Sequence, residues 1–328
     1  MLNKIIVRPL AAESLGVRSM CTLVETPDAR FLFDAGMSLS PNRFGLLPHP
    51  SEFSAIERLR KRIASAADRV EVVTVSHYHY DHHTPSYEDW LVNWTEAIET
   101  ARQIYQDKLV LAKNPRSCIN SSQRRRAWLF AKTGGKFARK LQSADGMKFN
   151  FGKDTVLSFS EPVTHGPDDA SLGWVTMAEV ECGEEVFLFA PDVQGPMSQC
   201  TVELIKKINP ELLLIGGPPL YLSNLKVDEQ LLEEAIRNLE RIVKLVPTTI
   251  LEHHVLREGS WKERMKLAFE AAAEVGHEIF TAAEFAGDDN TFLESNRREL
   301  YATDPPSNEF EHWTKLSLAK KGTIKPPL

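Results

Sequence analysis

The stretch from Ser76 to His83 reads Ser-His-Tyr-His-Tyr-Asp-His-His and directly follows the Val-rich run 70–75, which is typical of a buried strand. His77 and His79 are two residues apart, so on extended backbone both side chains project to the same side and can bind one ion. Asp81 and His82 follow in a predicted turn and can reach a second ion. Imidazole and carboxylate ligands suit Zn, Fe or Mn, whereas Ca and Mg prefer oxygen ligands alone. The pattern therefore predicts a transition-metal site at a strand end, and the alternative is an exposed histidine-rich loop.

Length and composition are those of a globular enzyme. The chain has 328 residues, of which 42% are apolar and 26% charged, so a large core is possible and disorder is excluded. No run of 18 apolar residues predicts a transmembrane helix, and the N-terminal apolar run is too short for a signal peptide. The four cysteines are scattered without a CxxC pair, which favours a reducing cytoplasm.

Hydrophobic periodicity predicts an α/β chain. A hairpin is expected around Pro27 and Asp28, which are turn residues between two apolar runs. Further strands are predicted over Val70–Ser76, Lys108–Ala112, Val156–Ser160, Leu172–Glu181, Val186–Phe189, Leu212–Ile215, Thr248–Glu252 and Phe280–Phe285. Helices are predicted over Tyr87–Gln106, Ser122–Leu141, Ser198–Ile208, Asp228–Leu245, Trp261–Ala273 and Asn290–Tyr301. This order predicts stacked sheets with outer helices, and by itself it also allows a doubly wound sheet.

Four further motifs lie near the ends of predicted strands and follow a fixed order along the chain: Phe33-Asp34-Ala35-Gly36, Thr164-His165-Gly166, Ala190-Pro191-Asp192 and Leu251-Glu252-His253-His254. Together with the histidine-rich stretch, they resemble the metal-ligand motifs of the metallo-β-lactamase superfamily of hydrolases. The resemblance extends from about residue 5 to about residue 285. It implies a four-layer αββα sandwich, forming a single domain over residues 1–328 with a helical, basic insertion at about 87–145.

The resemblance also implies a site for two transition-metal ions, most simply Zn, with Mn or Fe as alternatives. His77, His79 and His165 would hold one ion, and Asp81, His82 and one of the last two histidines would hold the other. Asp192 would bridge both ions, and Asp34 would support the ligands from behind. Catalysis would then depend on Asp81, Asp192 and Asp34, with a metal-activated water as the nucleophile.

The adjacent residues His253 and His254 are predicted to differ in role. On a strand their side chains leave on opposite faces, so only one is expected to be a ligand, and His253 is favoured because it comes just past the strand. Three segments, Gly16–Met20, Gly216–Leu222 and His253–Arg257, are similar to those of an archaeal-type branch of predicted hydrolases. The chain has no GxGxxG, P-loop or GxSxG motif that would indicate a nucleotide cofactor or a serine hydrolase.

Charge is distributed unevenly. The whole chain has a formal charge of −6, yet residues 112–143 contain nine Lys and Arg and no Asp or Glu. This basic segment favours an anionic substrate, small or nucleic acid, and a phosphodiester first. A lactone, thioester or other acyl substrate is the alternative, and a non-catalytic metal- or RNA-binding scaffold is the third hypothesis. The expected substrate contacts are Arg18, Asn114, Arg116, Tyr221 and Arg257.

Overall fold

In the computed structural model, which describes residues 2–94, 96–169 and 172–328, the first half of the chain forms a six-stranded mixed sheet. Its strands, in both chain and spatial order, are β1 (Ile6–Ala12), β2 (Met20–Glu25), β3 (Arg30–Phe33), β4 (Val72–Val75), β5 (Leu109–Ala112) and β6 (Lys140–Ser143). The strands β1, β2 and β3 are antiparallel neighbours, whereas β3 to β6 run parallel. The hairpin predicted around Pro27 is the β2–β3 connection.

The second half forms a seven-stranded mixed sheet and a small two-stranded ribbon. The strands are β7 (Lys148–Phe151), β8 (Thr155–Phe159), β9 (Val163–Thr164), β10 (Trp174–Val175), β11 (Ala178–Cys182), β12 (Glu185–Ala190), β13 (Leu212–Gly216), β14 (Thr248–Glu252) and β15 (Glu278–Phe280). The spatial order in the sheet is β15-β14-β13-β12-β11-β8-β7, and β9 pairs with β10 as the ribbon. From β12 to β15 the neighbours are parallel.

Eleven α-helices occur in the described residues, together with short 3₁₀ helices at Glu13–Leu15, Gly134–Phe137, Leu220–Leu222 and His253–Arg257. They are α1 (Pro50–Ala67), α2 (Ala97–Tyr105), α3 (Ser121–Lys132), α4 (Gln199–Ile208), α5 (Glu229–Val243), α6 (Trp261–Arg264), α7 (Lys266–Ala273), α8 (Ala282–Ala286), α9 (Arg297–Thr303), α10 (Asn308–Thr314) and α11 (Leu318–Lys321). Within the described part of the chain, none of these helices has the length and apolarity needed to cross a bilayer.

The two sheets pack face to face through aromatic side chains. The Phe33 ring lies 6.2 Å from that of Phe187 and 5.2 Å from that of Phe189, both on β12 of the other sheet. Leu188, between them in sequence, points outward and packs with Ile205 of α4 and Leu239 of α5. This alternation gives each sheet one face for the shared core and one for its helices, so the expected four-layer αββα sandwich is confirmed.

Several predicted boundaries are wrong because tertiary packing overrides local periodicity. The helix expected over Tyr87–Gln106 is reduced to α2, residues 87–94 form turns, and Thr95 lies outside the described residues. The aromatic residues at helical spacing there contact other elements instead: Trp90 lies 6.1 Å from Trp313 of α10, and Trp94 lies 5.4 Å from Phe53 of α1.

Other predicted helices end early or divide. The helix expected over Ser122–Leu141 ends at Lys132, and Lys140 and Leu141 belong to β6, which pairs with β5. The range Trp261–Ala273 divides at Met265 into α6 and α7. The strand expected over Phe280–Phe285 ends at Phe280, and the helix expected over Asn290–Tyr301 begins only at Arg297. Residues 87–145 therefore also supply the strands β5 and β6 of the first sheet.

The long helix α1 has clear start signals that hydrophobic periodicity does not include. His49 is its N-cap, and a capping box with Glu52 satisfies backbone donors at the helix start. Pro50 occupies the first turn, where its missing N–H costs nothing. Glu52 also forms a buried ion pair with Arg297, whose side chain is fully buried, through N–O distances of 2.7 and 2.8 Å.

We expect Arg297→Met to lower the free energy of unfolding by about 3–5 kcal/mol, since it leaves Glu52 as an unpaired buried charge. The neighbouring Arg298→Met is the matched control. Its exposed guanidinium only covers the Phe44 ring at 4.4 Å, so a change within about 1 kcal/mol is expected. Chemical denaturation of both variants measures the difference. Equal losses would show that the buried pair contributes no more than a surface contact.

Candidate metal centre

The predicted metal-ligating residues converge at one edge of the sandwich. Because the carboxyl ends of the parallel strands meet there, the loops after β3, β4, β12 and β14 lie side by side. Three site residues adopt left-handed backbone conformations at these strand ends: Asp34 with φ 46°, Asp192 with φ 49° and His253 with φ 68°. Such conformations cost energy in non-glycine residues and tend to cluster at functional sites.

One group of possible ligands contains His77, His79, His165 and Asp192, whose ligand atoms all lie within 4.8 Å of one another. Asp192 Oδ2 lies 2.8 Å from His165 Nε2 and 3.3 Å from His77 Nε2. His79 Nδ1 lies 3.8 Å from the same oxygen and is the most exposed member, with 27% of its side-chain surface accessible. This group therefore has three buried ligands and one at the mouth of the site.

A second group contains Asp81, His82 and His253. His253 Nε2 lies 3.5 Å from Asp81 Oδ2 and 3.5 Å from Asp192 Oδ1. His82 Nε2 lies 3.5 Å from Asp192 Oδ2. Asp192 thus lies between the two groups: its Oδ2 faces the first group and His82, and its Oδ1 faces His253.

The donor set fits metal ions on two counts. His82 Nε2 and Asp192 Oδ1 are buried and have no hydrogen-bond partner among the described residues, which is costly unless a cation binds them. Burial raises the pKa of Asp192, but the imidazoles of His165, His253 and His254 outweigh it and hold this pKa well below its usual range. Burial, with His82 and His79 beside it, holds the pKa of His77 well below its usual range, which leaves a neutral nitrogen for a metal.

Asp34 orients the ligands from beneath, as expected from its place after β3. Its carboxylate accepts hydrogen bonds from the Ser76 backbone N–H at 2.8 Å, from the Ser76 hydroxyl, and from His82 Nδ1 at 2.7 Å. Burial lowers the pKa of His82, but the neighbouring carboxylates of Asp192 and Asp34 outweigh this and raise it to about 10, so the pocket favours positive charge at this point. Gly36 lets the turn approach closely, because a Cβ there would lie 2.2 Å from the His83 backbone nitrogen.

The expectation that His253 and His254 leave a strand on opposite faces is wrong. The strand β14 ends at Glu252, and a 3₁₀ helix over His253–Arg257 begins immediately. Both rings consequently reach Asp192 Oδ1, His254 Nε2 at 2.9 Å and His253 Nε2 at 3.5 Å. Strand alternation therefore cannot distinguish them, whereas their hydrogen-bond partners do.

The five predicted substrate contacts fall into two sets. Tyr221 and Arg257 lie at the centre: the Tyr221 hydroxyl and Arg257 Nη1 are each 3.1 Å from His254 Nδ1. Arg18 instead forms a two-pronged ion pair with Glu294 at 2.6 Å, so its guanidinium is occupied. Asn114 Oδ1 accepts from the Arg116 backbone N–H in a local turn, and the Asn114 backbone N–H donates to Asp145 Oδ1 at 2.7 Å.

Three site residues carry no signal in the motifs or the periodicity of the sequence. Glu13 binds Arg257 through two contacts at 2.5 and 2.7 Å and lies 3.4 Å from His253 Nδ1. Gln194 Nε2 lies 3.3 Å from His165 Nδ1. The guanidinium of Arg43 lies over the Tyr221 ring at 4.7 Å, and its Nη2 donates to the Arg257 carbonyl at 2.7 Å. Each is distant in sequence from the residue it contacts or lies outside the motifs, so spacing alone could not reveal it.

The helix α3 of the basic segment lies against the metal-site loops. The Phe130 ring is 5.2 Å from His83, and the guanidinium of Arg126 lies over the Tyr80 ring at 5.4 Å. Lys113 is the exception to the exposed charge of this segment, since it is buried and paired with Asp145 at 2.7 Å. Phe130 is buried, whereas Trp128 is 61% exposed.

Comparisons with known proteins agree with this architecture. Residues 15–83 match a family model described as the metallo-beta-lactamase superfamily. The UPF0282 protein of Methanopyrus kandleri is 42% identical over 294 residues, which cover 90% of this chain and 98% of that protein. The UPF0282 protein of Pyrobaculum islandicum is 43% identical over 298 residues, with coverage of 90% and 94%. Among solved structures, CmlA, a diiron β-hydroxylase from Streptomyces venezuelae, aligns over 86% of this chain and 53% of its own at 12% identity and a TM-score of 0.48, too weak to carry an argument.

We expect Asp34→Asn to weaken metal binding about 10–100-fold without unfolding the chain. An amide keeps one acceptor oxygen but turns an N–H₂ group towards Ser76 or His82, so His82 loses its fixed orientation. Competition with a metal chelator measures the affinity, and circular dichroism checks the fold. Asp28→Asn, at the β2–β3 turn, is the matched control and should bind metal as the parent chain does. Unchanged affinity in Asp34→Asn would show that Asp34 does not act through His82.

Proposed function

This chain belongs to the UPF0282 family of the metallo-β-lactamase superfamily, and from that premise we propose that it is a hydrolase using two divalent metal ions, most simply zinc. The observation that carries the proposal is the buried position of Asp192 between the two ligand groups, where neither its Oδ1 nor His82 Nε2 has a hydrogen-bond partner among the described residues. Nitrogen and carboxylate ligands are those that zinc prefers, and Mn or Fe would also fit.

Each residue has a definable role in this proposal. His77, His79 and His165 would hold one ion, Asp81, His82 and His253 the other, and Asp192 both. Bound there, the ions supply Lewis acidity and lower the pKa of a water towards about 7, so no side-chain nucleophile is needed. Asp34 keeps His82 in place, and Gln194 supports His165.

Their hydrogen bonds support different roles for the adjacent histidines in this proposal. Arg257 Nη1 can only donate, so His254 Nδ1 accepts and the ring proton lies on Nε2, which is 2.9 Å from Asp192 Oδ1. His253 has the opposite arrangement, since Nδ1 faces the Glu13 carboxylate at 3.4 Å and Nε2 faces the metal-site carboxylates of Asp81 and Asp192 at 3.5 Å. Arg257 Nη2 lies 3.4 Å from His253 Nδ1 and 3.3 Å from His253 Nε2, so this contact does not indicate which of the two nitrogens bears the proton. We therefore assign His253 as the ligand and His254 as an N–H donor at the mouth of the site.

The substrate proposed is a phosphodiester. Its support is the position of α3, whose Arg126 covers Tyr80 between two ligand positions of the histidine-rich stretch. Guanidinium groups beside a metal centre suit a phosphate that must approach it. Assays of bis(p-nitrophenyl) phosphate and a simple lactone, each with Zn or Mn, separate this substrate from an acyl compound. Turnover of the lactone alone would replace the phosphodiester assignment with the acyl one.

We expect the purified chain to contain close to two metal ions and Asp192→Ala to contain at most one, with activity lost. Removing the shared carboxylate leaves the two cations unscreened from each other, while the fold rests on the apolar faces of the sheets. Metal analysis and hydrolysis assays measure both effects, and chelation of the parent chain should abolish activity. A metal-free chain that takes up no metal on reconstitution would contradict the proposal.

We expect His253→Ala to retain about one metal ion per chain and His254→Ala to retain two. The two variants are a matched pair, because they remove the same ring at adjacent positions whose Nε2 atoms face the same carboxylate oxygen. Metal content after dialysis measures the difference, and His254→Ala should lower the rate of hydrolysis with little change in metal content. Equal metal loss in both variants would show that the tautomer argument is wrong.

A further inference from the structure

A cavity of about 320 Å³ lies along α3, and its walls are Tyr80 of the histidine-rich stretch and Ser122, Arg125, Arg126 and Leu129 of the helix. We propose that this cavity binds a phosphate of a single-stranded nucleic acid, next along the strand from the phosphodiester that is cleaved. The inference rests on the proposed function and narrows its substrate from phosphodiesters in general to polynucleotides. The volume of the cavity is at the lower end of the range of small-ligand pockets, which suits a phosphate with part of the attached sugar.

The position of the cavity follows from the way α3 is held. Tyr80 in its wall lies between His79 and Asp81, whose Cα atoms are each about 3.8 Å from its own. At the other side of the helix, the Gln123 side chain bonds the Trp174 backbone through N–O distances of 3.2 and 3.3 Å. Trp174 begins β10, which pairs with β9 immediately before His165. The helix is therefore attached to both loops that carry the ligands of the first group.

The chemistry of the walls is that of an anion site. Arg125 and Arg126 each present a fork of N–H donors, and Ser122 adds a hydroxyl one helical turn away. Within the described residues, no carboxylate pairs with either arginine, whereas Arg18 and Arg257 are both bound to glutamates. Residues 112–143 contain no Asp or Glu that would compete for them. The two guanidinium groups are thus available to a phosphate in a way that the other arginines at the site are not.

An exposed tryptophan indicates a single strand as the carrier of that phosphate. Trp128 is 61% exposed, and it lies three residues after Arg125 and four after Arg124, which places the three side chains on neighbouring parts of the α3 surface. An indole stacks on any nucleobase whose face is open. Bases in a duplex have no open faces, so a strand that contacts both Trp128 and the cavity must be unpaired.

The test compares two substrates in two double variants. Thymidine 5′-(p-nitrophenyl) phosphate contains one diester and no neighbouring phosphate, whereas a single-stranded decanucleotide contains both. Arg125→Gln/Arg126→Gln removes the cavity charges and keeps side-chain bulk over Tyr80. Arg139→Gln/Lys140→Gln is the matched control, since it removes the same charge from exposed positions of the basic segment outside the cavity.

We expect the loss of kcat/KM in the cavity variant to be at least about fivefold larger on the decanucleotide than on the small diester, with the control changing both less than about twofold. Equal losses on the two substrates, or equal losses in the two variants, would show a general electrostatic effect and overturn the subsite. Full activity of the cavity variant on the decanucleotide would overturn it as well. Trp128→Ala should weaken decanucleotide binding at least about fivefold.

A binding measurement keeps this inference separate from the proposed function. Fluorescence anisotropy of a labelled decanucleotide on the full chain gives the slope of log Kd against log salt concentration. For single strands, that slope falls by about 0.7 for each phosphate that the protein no longer neutralises, so the cavity variant should show a smaller slope than the parent chain and the control should show less change. If the parent chain hydrolyses neither substrate, the proposed function fails, and an unchanged slope in the cavity variant means that the subsite fails.

Discussion

The structure around the site depends on how the carboxylate of Asp192 is compensated. It is fully enclosed at the end of β12, and burying an ionised carboxylate without a partner costs many kcal/mol. Six imidazoles surround it, and they are contributed by His77, His79, His82, His165, His253 and His254. Even so, its Oδ1 atom has no hydrogen-bond partner among the described residues. A cation on each side would complete this arrangement, which is why the metal assignment is the simplest explanation of the site.

The αββα architecture makes that convergence possible. Each sheet has a parallel part, and the sheets are held in register by the Phe33, Phe187 and Phe189 rings, so the carboxyl ends of β3, β4, β12 and β14 are brought together. The first functional residue after each of these strands then lies only one or two residues beyond the strand end. Local left-handed backbone at Asp34, Asp192 and His253 turns the side chains inward, and the apolar core stabilises the conformations that such turns require.

Charged and ionisable side chains are segregated at the edge of the sandwich that carries the site. Carboxylates and imidazoles fill the interior of the site, while the unpaired arginines are displayed on α3 beside it. Phe130 keeps that helix in place by packing against Tyr105, at 5.3 Å, and against His83. A positive surface next to a site that is built for cations is an unfavourable arrangement unless an anion spans the two. That balance is the physical basis for proposing an anionic, phosphate-bearing substrate.

Sequence alone was sufficient for most strands, the order of the five motifs and the histidine and aspartate side chains that converge at one edge, because each depends on local spacing. The Pro27–Asp28 hairpin and the helices α4 and α5 follow from the same local signals. Sequence was insufficient wherever a contact joins distant segments. The pairing of Arg18 with Glu294, the place of Glu13 beside Arg257, and the packing of Trp90 against Trp313 are examples.

The difference between His253 and His254 shows the reason for this limit. Periodicity assumes that a strand continues, yet one left-handed residue at position 253 ends it and turns both rings to the same carboxylate. The partners of their Nδ1 atoms then differ, since His253 faces Glu13 and His254 faces Arg257, and Glu13 comes from the opposite end of the chain. The sequence determined which side chains could bind a metal, and only the tertiary structure decided their partners, because hydrogen bonds between remote segments form after the sheets have packed.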